Sequence, residues 1–394
     1  MSAIEVVILS GSRTPQGRIN GQFAALTAVQ LGTIAIADAI ATSGVSADEV
    51  AAVLMGQVLQ AGAGQNPAKQ SAIAAGIPWN VPAMTLNKVC LSGLAAVVDA
   101  ARLIRLGEAD VVVAGGQESM TNAPHLLAGS RKGWAYGTIG ALDHAAYDGL
   151  TDAFDGLSMG ESTEHVNGRL GIGRREQDEI AAASHQRAAA AQAAGIFDSE
   201  IASVPVPQRK GDPIVIAGDE GVRGESTTDT LGGLRPAFTP DGTITAGNSS
   251  PLSDGASALV LSSRRFAEER GLPWLATVEA SGHVAGPDNS LHSQPSNAIR
   301  AALSRQGWAA SDLDLVEINE AFAAVTLQST RDLGLSPEVV NIHGGAIAIG
   351  HPIGASGARL ALHAAHELAR RGSGKAVVAL CGGGGQGDAL LLSR

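Results

Sequence analysis

Ile36 to Gly56 reads IADAIATSGVSADEVAAVLMG, and the pattern returns at Ile299 to Asn319 as IRAALSRQGWAASDLDLVEIN. In each, an apolar-periodic helix stops at a glycine, Gly44 or Gly307, passes a Ser-containing turn and runs into an apolar strand. Gly44 and Gly307 are 263 positions apart, and so are Gly56 and Asn319. A second pair keeps nearly the same offset. CLSGLAAVVDAARLIRLGEADVVVAGG starts at Cys90, and GASGARLALHAAHELARRGSGKAVVALCGGGG starts at Gly354. Each gives a Gly-rich turn, a helix, a polar link and a buried strand ending in glycines. Their Ser-Gly pairs, Ser92-Gly93 and Ser356-Gly357, are 264 apart. In the first helix Leu94, Val97, Val98, Ala101 and Ile104 share one face, and Asp99, Arg102, Arg105 and Glu108 the other.

Such a period is too long for a solenoid. It predicts an α/β fold built by duplicating a whole strand–helix domain. The expected division is an N-terminal half at 1–119 plus 249–270, an inserted loop domain at 120–248, and a C-terminal half at 271–394. The insertion carries Gly-rich loop text, a helix (EQDEIAAASHQRAAAAQ) and Pro-punctuated strands (SVPVPQRKGDPIVI). Sites in open α/β sheets gather at strand ends, and a duplicated pair can bring two such ends together.

Composition narrows the function classes. The 394 residues carry a formal net charge of −11 and no long basic run, which argues against nucleic-acid or anionic-membrane binding. No apolar run is long enough to span a membrane, and MSAIEVVILSGSRTP reads as a strand and turn rather than a signal peptide. A cytoplasmic location is expected. Aromatics are only 3%, so the cores rest on Ala, Val, Leu and Ile; the 50 glycines are nearly twice the usual share of about 7%. Two cysteines do not make a disulfide framework.

Four residues stand out for chemistry. Cys90 precedes a helix, whose N-terminal partial charge favours thiolate; it reads as a nucleophile or as a buried turn residue. Cys381 ends the strand AVVAL and opens GGGGQG. That segment formally contains G-x-G-x-x-G, but DALLLSR after it reads as a strand, so no dinucleotide site is expected. The glycines suit backbone N–H groups facing a substrate oxygen, or a tight hairpin. His351 sits between Gly350 and Pro352 in a run that gives up packing for access, so that an imidazole can serve a thiol as base. Asn319 ends a strand and is expected to cap the next helix, with an amide that can also orient a water. His363, His366 and Glu367 share a polar helix face with Arg370, and no metal site is expected there.

Taken in order, NKVCLSGL, GQNPAKQ, NEAFAA, NIHGGAIAIGHPIGASGAR and LCGGGGQG resemble the motifs of the thiolase family, over nearly the whole chain. The resemblance is to the biosynthetic type. It implies duplicated halves layered αβαβα with a loop domain inserted in the first. It implies acetyl-CoA C-acetyltransferase activity: two acetyl-CoA condense to acetoacetyl-CoA and CoA, and thiolysis is the reverse. Coenzyme A is then substrate and product, and no cofactor or metal is implied. By motif position Cys90 carries the acetyl group, His351 activates it, and Cys381 takes the α-proton of the second acetyl-CoA. Asn319 holds a water that, with His351, stabilises the enolate oxygen; the N–H groups of Cys90 and Gly383 form the other oxyanion hole. Met159, Arg223, Leu234, Phe238, Ala246, Ser250, Leu291, Ala321 and Phe322 occupy CoA-contact positions. RKGWAYGTIGALDHAAYDGLTDAFDG resembles the family's tetramerisation loop, which implies a homotetramer. Three positions depart from the pattern: Ser158 stands where histidine is common, Gln294-Pro295 where Gly-Pro is common, and Leu91 where a small residue is common. The first two admit an alternative, a 3-ketoacyl-CoA thiolase of broader chain length in fatty-acid degradation. A β-ketoacyl synthase-like enzyme would place a second histidine at Cys381, a cysteine hydrolase would need no second cysteine, and a silent acyl-CoA-binding protein would lack Cys90 or His351.

Overall fold

Strand β1, Val6–Arg13, is buried along its whole length. Val6 and Ile8 belong to one apolar cluster and Val7 to another, as the two-residue period of a strand covered on both faces requires. The computed structural model describes residues 4–394, and within them β1 lies at the middle of a ten-stranded sheet. The other main strands are β2 (Ala52–Gly56), β3 (Ala83–Leu86), β4 (Val111–Ser119), β5 (Ser253–Ser263), β6 (Ala276–Ala285), β7 (Leu315–Ile318), β8 (Lys375–Gly382) and β9 (Gln386–Ser393). The first half runs β3-β2-β4-β5-β1 and the second β7-β8-β9-β6. Val340 bridges β7 at Val316 in parallel, in the place β3 takes beside β2. In both halves the early pairs are parallel and the later ones antiparallel. The duplication is therefore in the topology as well as in the text. β1 joins the halves edge to edge, with Val6 opposite Val278 and Ile8 opposite Ala276.

Four helices complete the layers: α1 (Ala28–Ser43), α2 (Ser92–Arg105), α3 (Gln294–Gln306) and α4 (Ser356–Arg371). Thr27 starts α1 through a capping box with Gln30, and Gly44 ends it at φ 75°; Gly307, also at φ 75°, ends α3. α1 packs on the first half and α3 on the second. α2 and α4 lie between them and share one cluster with strands of both halves, giving layers α/β/α/β/α. This middle position also encloses the polar face of α4. α4 is buried all round from Ser356 to Ala365, so His363 and Glu367 do not face water. His363 bonds Glu200 through Nδ1 at 2.8 Å and His343 through Nε2 at 3.1 Å, and Arg371 donates to Glu367 at 2.6 Å.

The first half is interrupted after β4 and resumes at β5. The intervening chain holds helices Met159–Leu170 and Arg174–Ala193 and a short hairpin of Val204–Val206 with Ile214–Ile216. Arg13, at the end of β1, ties it down: its buried guanidinium meets Glu200 at 2.7 Å and Asp219 at 2.8 Å. Loss of one partner from such a pair costs about 3–5 kcal/mol.

The inner helices touch backbone to backbone at their Ser-Gly pairs. A Cβ on Gly93 would lie 2.9 Å from the Ala358 nitrogen, and one on Gly357 would lie 2.5 Å from the Leu94 nitrogen. Beside them, a Cβ on Gly116 of β4 would lie 2.0 Å from the Gly354 carbonyl oxygen. Gly116→Ala is therefore expected to lower unfolding stability by at least about 1–3 kcal/mol in urea titration. Gly140→Ala, at a position with nothing within 4 Å, is the control and stays at the parental value. Parental stability in Gly116→Ala would contradict this packing.

Candidate active site

The turn before α2 is strained. Val89 sits at φ 51°, a left-handed conformation that a β-branched residue rarely adopts. Ser92 holds the turn: its Oγ accepts from the Lys88 N–H at 2.8 Å and donates to the Val89 carbonyl at 2.6 Å. Lys88 in turn reaches both oxygens of the buried Asp388 at 2.7 Å, locking the turn to β9 of the other half. The result presents Cys90 to a cavity of about 290 Å³. Nothing in the residue types around Val89 announced this backbone geometry.

His351 enters the same cavity from the turn before α4. Its N–H donates to Ser253 Oγ at 3.0 Å. Its Nδ1 lies 2.6 Å from Ser356 Oγ, whose own proton goes to the Pro352 carbonyl at 3.0 Å. The Ser356 oxygen therefore accepts from Nδ1–H, which leaves the Nε2 lone pair facing the cavity as the base. Sequence reasoning missed Ser356, although the repeat aligns it with Ser92.

Asn319 is fully buried and directs Nδ2 at His351 Nε2, 3.4 Å away. It is not the expected helix cap. The following helix is Ala323–Leu333, its cap position is Phe322, and no side chain fills the cap. Two residues, Glu320 and Ala321, separate Asn319 from that cap and free the amide for His351. Cys381 closes β8 in the cavity wall, and Gly383 follows in the turn to β9. That turn has positive φ at Gly384 and Gly385 and continues as a strand, not a helix. Leu91 fits beside it because Gly382 has no side chain; a Cβ there would lie 2.7 Å from Leu91 Cγ.

Of the CoA-contact positions, Met159, Phe238, Ser250, Leu291, Ala321 and Phe322 line this cavity. Arg223, Leu234 and Ala246 do not; all three are exposed. Phe238 and Phe322 meet edge to face, 6.1 Å between centroids. Ser158 also lines the cavity, with its hydroxyl engaged by Glu161 at 2.7 Å as the cap of Met159–Leu170. Among the described residues no His, Cys, Asp and Glu cluster is placed to hold a metal ion.

The electrostatics correct one expectation. The helix N-terminus was expected to favour a Cys90 thiolate. Cys90 keeps partial access to solvent, but it lies deep in protein, and burial pushes its thiol up to about 12. Its own N–H and that of Gly383 pull the other way, while nearby Glu118 adds to the rise. A helix terminus is worth at most about 1–2 kcal/mol, too little to reverse a shift of that size. Burial, aided by Arg359, likewise lowers His351 to about 3. At rest the pair is thus thiol and neutral imidazole. Cys381 is also pushed upward, by burial first and then by Cys90.

Family models of the thiolase N-terminal domain and the thiolase C-terminal domain match residues 6–265 and 272–394. The chain belongs to the thiolase family. This thiolase is 58% identical over 388 residues to a protein of Mycolicibacterium smegmatis described as probable acetyl-CoA acetyltransferase, covering 98% of this chain and 100% of that one. It is 49% identical over 390 residues to the acetyl-CoA acetyltransferase of Cupriavidus necator, covering 99% of each. The crystal structure of the Bacillus anthracis acetyl-CoA acetyltransferase matches it with a TM-score of 0.96 at 38% identity, over 99% of both chains.

A neutral His351 is directly measurable in this thiolase. In nitrogen-labelled histidine NMR, its ring is expected to stay neutral as the Nδ1–H tautomer at about pH 5, below the ordinary histidine value of about 6.5. The sign follows from burial, which disfavours the imidazolium. A His351 ring that protonates near the ordinary value would refute the neutral pair.

Proposed function

We propose that this thiolase is an acetyl-CoA C-acetyltransferase that condenses two acetyl-CoA to acetoacetyl-CoA and CoA, and runs the reverse thiolysis. One observation carries the reading: Cys90 of the first half and Cys381 of the second line one cavity with His351 and Gly383. Claisen chemistry on thioesters needs an acyl carrier, a base for a weakly acidic C–H, and donors for two successive oxyanions.

The residues divide these tasks. The Cys90 sulfur attacks the acetyl carbonyl as its proton passes to His351 Nε2. The oxyanion forms against the N–H groups of Cys90 and Gly383, donors worth roughly 3 kcal/mol each in comparable sites. The C–S bond to CoA breaks, and the departing thiolate takes the proton of Cys381. That leaves Cys381 as a thiolate whose raised pKa makes it a strong base for the α-carbon of the second acetyl-CoA. A water held by Asn319, together with the protonated His351 beside it, supplies the donors that the enolate oxygen needs; the Asn319 Nδ2 lies 3.4 Å from His351 Nε2. The enolate carbon attacks acetyl-Cys90, and the freed Cys90 sulfur recovers its proton from His351.

The apolar loop of the insertion supports a homotetramer. Trp134, Tyr136, Ile139, Leu142 and Tyr147 are all exposed in the single chain, and apolar groups clustered this way usually meet a partner. Light scattering at micromolar concentration is expected to return four chain masses; a monomer mass would refute it. A cytoplasmic location is part of the same reading, and no helix of the described residues is long and apolar enough to cross a membrane.

Changing Cys381→Ala is expected to abolish condensation while sparing some acetyl loading, because the carrier remains and only the carbon base is lost. Cys90→Ala abolishes both steps, and His351→Ala weakens both. Intact-protein mass spectrometry after brief exposure to acetyl-CoA, with peptide mapping, reads the loading. An acetyl group on Cys381 with Cys90 bare would reverse the two roles.

A further inference from the structure

β4 ends in a carboxylate that the chemistry above does not use. Glu118 is fully buried and does not line the cavity. It accepts three backbone N–H bonds: Val58 to Oε2 at 2.9 Å, Leu59 to Oε1 at 3.1 Å and Gly354 to Oε2 at 2.9 Å. All three partners are donors, the surroundings of a carboxylate rather than an acid. Val58 and Leu59 belong to the turn that leaves β2, in the Cys90 half. Gly354 lies in the turn that carries His351, in the other half. No side chain fits at Gly354, where a Cβ would lie 2.8 Å from Glu118 Oε2 and 2.8 Å from the Gln57 Cα. One buried carboxylate thus staples the histidine turn onto the nucleophile half.

The acids around it add a second effect. Burial first, and then Asp254, hold Glu118 up to about 7 against its three N–H donors, and Glu118 in turn raises Cys90. An ionised Glu118 opposes a second negative charge on Cys90.

We propose that Glu118 is a positioning residue of the thiolase reaction: through the N–H groups of Val58, Leu59 and Gly354 it holds the His351 turn in register with Cys90. Glu118 touches neither substrate nor reacting atoms; it acts through Gly354, Val58 and Leu59. The proposal rests on the acyltransferase reading above.

Two variants separate position from charge. Glu118→Gln keeps the shape, removes the charge and turns an NH2 toward N–H donors. Glu118→Asp keeps the charge but is one methylene short of its partners. Both are expected to lose about 10–100-fold in kcat, with KM for CoA within about two-fold. The pH profile of Cys90 alkylation by iodoacetamide, followed by peptide mapping, should move down in Glu118→Gln, which removes a nearby charge, and stay near the parental profile in Glu118→Asp. A merely destabilised fold would raise alkylation at every pH without moving the profile. Parental kcat in either variant, or alkylation raised at every pH as a merely destabilised fold would give, overturns the proposal; if Glu118→Gln does not fold, kcat of Glu118→Asp decides alone. Alkylation needs no turnover, so it tests Glu118 separately from the acyltransferase reading, which fails only if the unmodified enzyme neither loads acetyl groups nor cleaves acetoacetyl-CoA.

Discussion

The site depends on one steric fact, that α2 and α4 can meet without side chains between them. Gly93 and Gly357 bring two helix backbones to a separation that any Cβ would forbid. Their first turns then stand side by side. Cys90 leads into one and His351 into the other, so contact between helices becomes contact between reacting groups. Gly116 and Gly354 extend the same close approach to β4. Larger residues at these positions would still permit two separate α/β halves. They would not permit one cavity shared between them.

Burial sets the chemistry in a second way. Enclosing Cys90 and His351 disfavours charge on both, so proton movement is coupled to bond making rather than completed beforehand. The Cys90 and Gly383 N–H groups cannot keep a resting thiolate against that penalty. They become most useful when an oxyanion forms. A neutral site of this kind also spares the thiol from stray electrophiles, because the reactive form exists only with a thioester in place.

Much of this was legible in the sequence. The two offsets near 263 pointed to duplication, and Gly44 and Gly307 marked helix ends that both hold positive φ. The catalytic loops stood out because glycine-rich text around a cysteine or histidine has few packing uses. Other features depend on groups distant in the chain. The polar face of α4 was legible as polar, but not what it meets: Glu200, 163 positions from His363 and carried by the insertion, pairs with it. Asn319 looked like a cap because strand ends often lead straight into helices, and only the three-residue delay before Ala323 frees it for His351. Val89 adopts its strained φ because Ser92, Lys88 and Asp388 impose it from outside, and no local propensity could report that.

Ser92 and Ser356 occupy equivalent places in the two copies, and each returns its hydroxyl proton to a backbone carbonyl one turn earlier. What the remaining lone pairs accept has diverged: a backbone N–H in one copy, the imidazole Nδ1–H in the other. A symmetric dimer of single halves would have to give both places the same residues and hence the same task. Fusing the copies into one chain lifts that constraint, so one half can be selected as electrophile carrier while the other is selected as proton handler. The asymmetry of the reaction is thereby written into a nearly symmetric scaffold, and each later substitution can serve one role without spoiling the other.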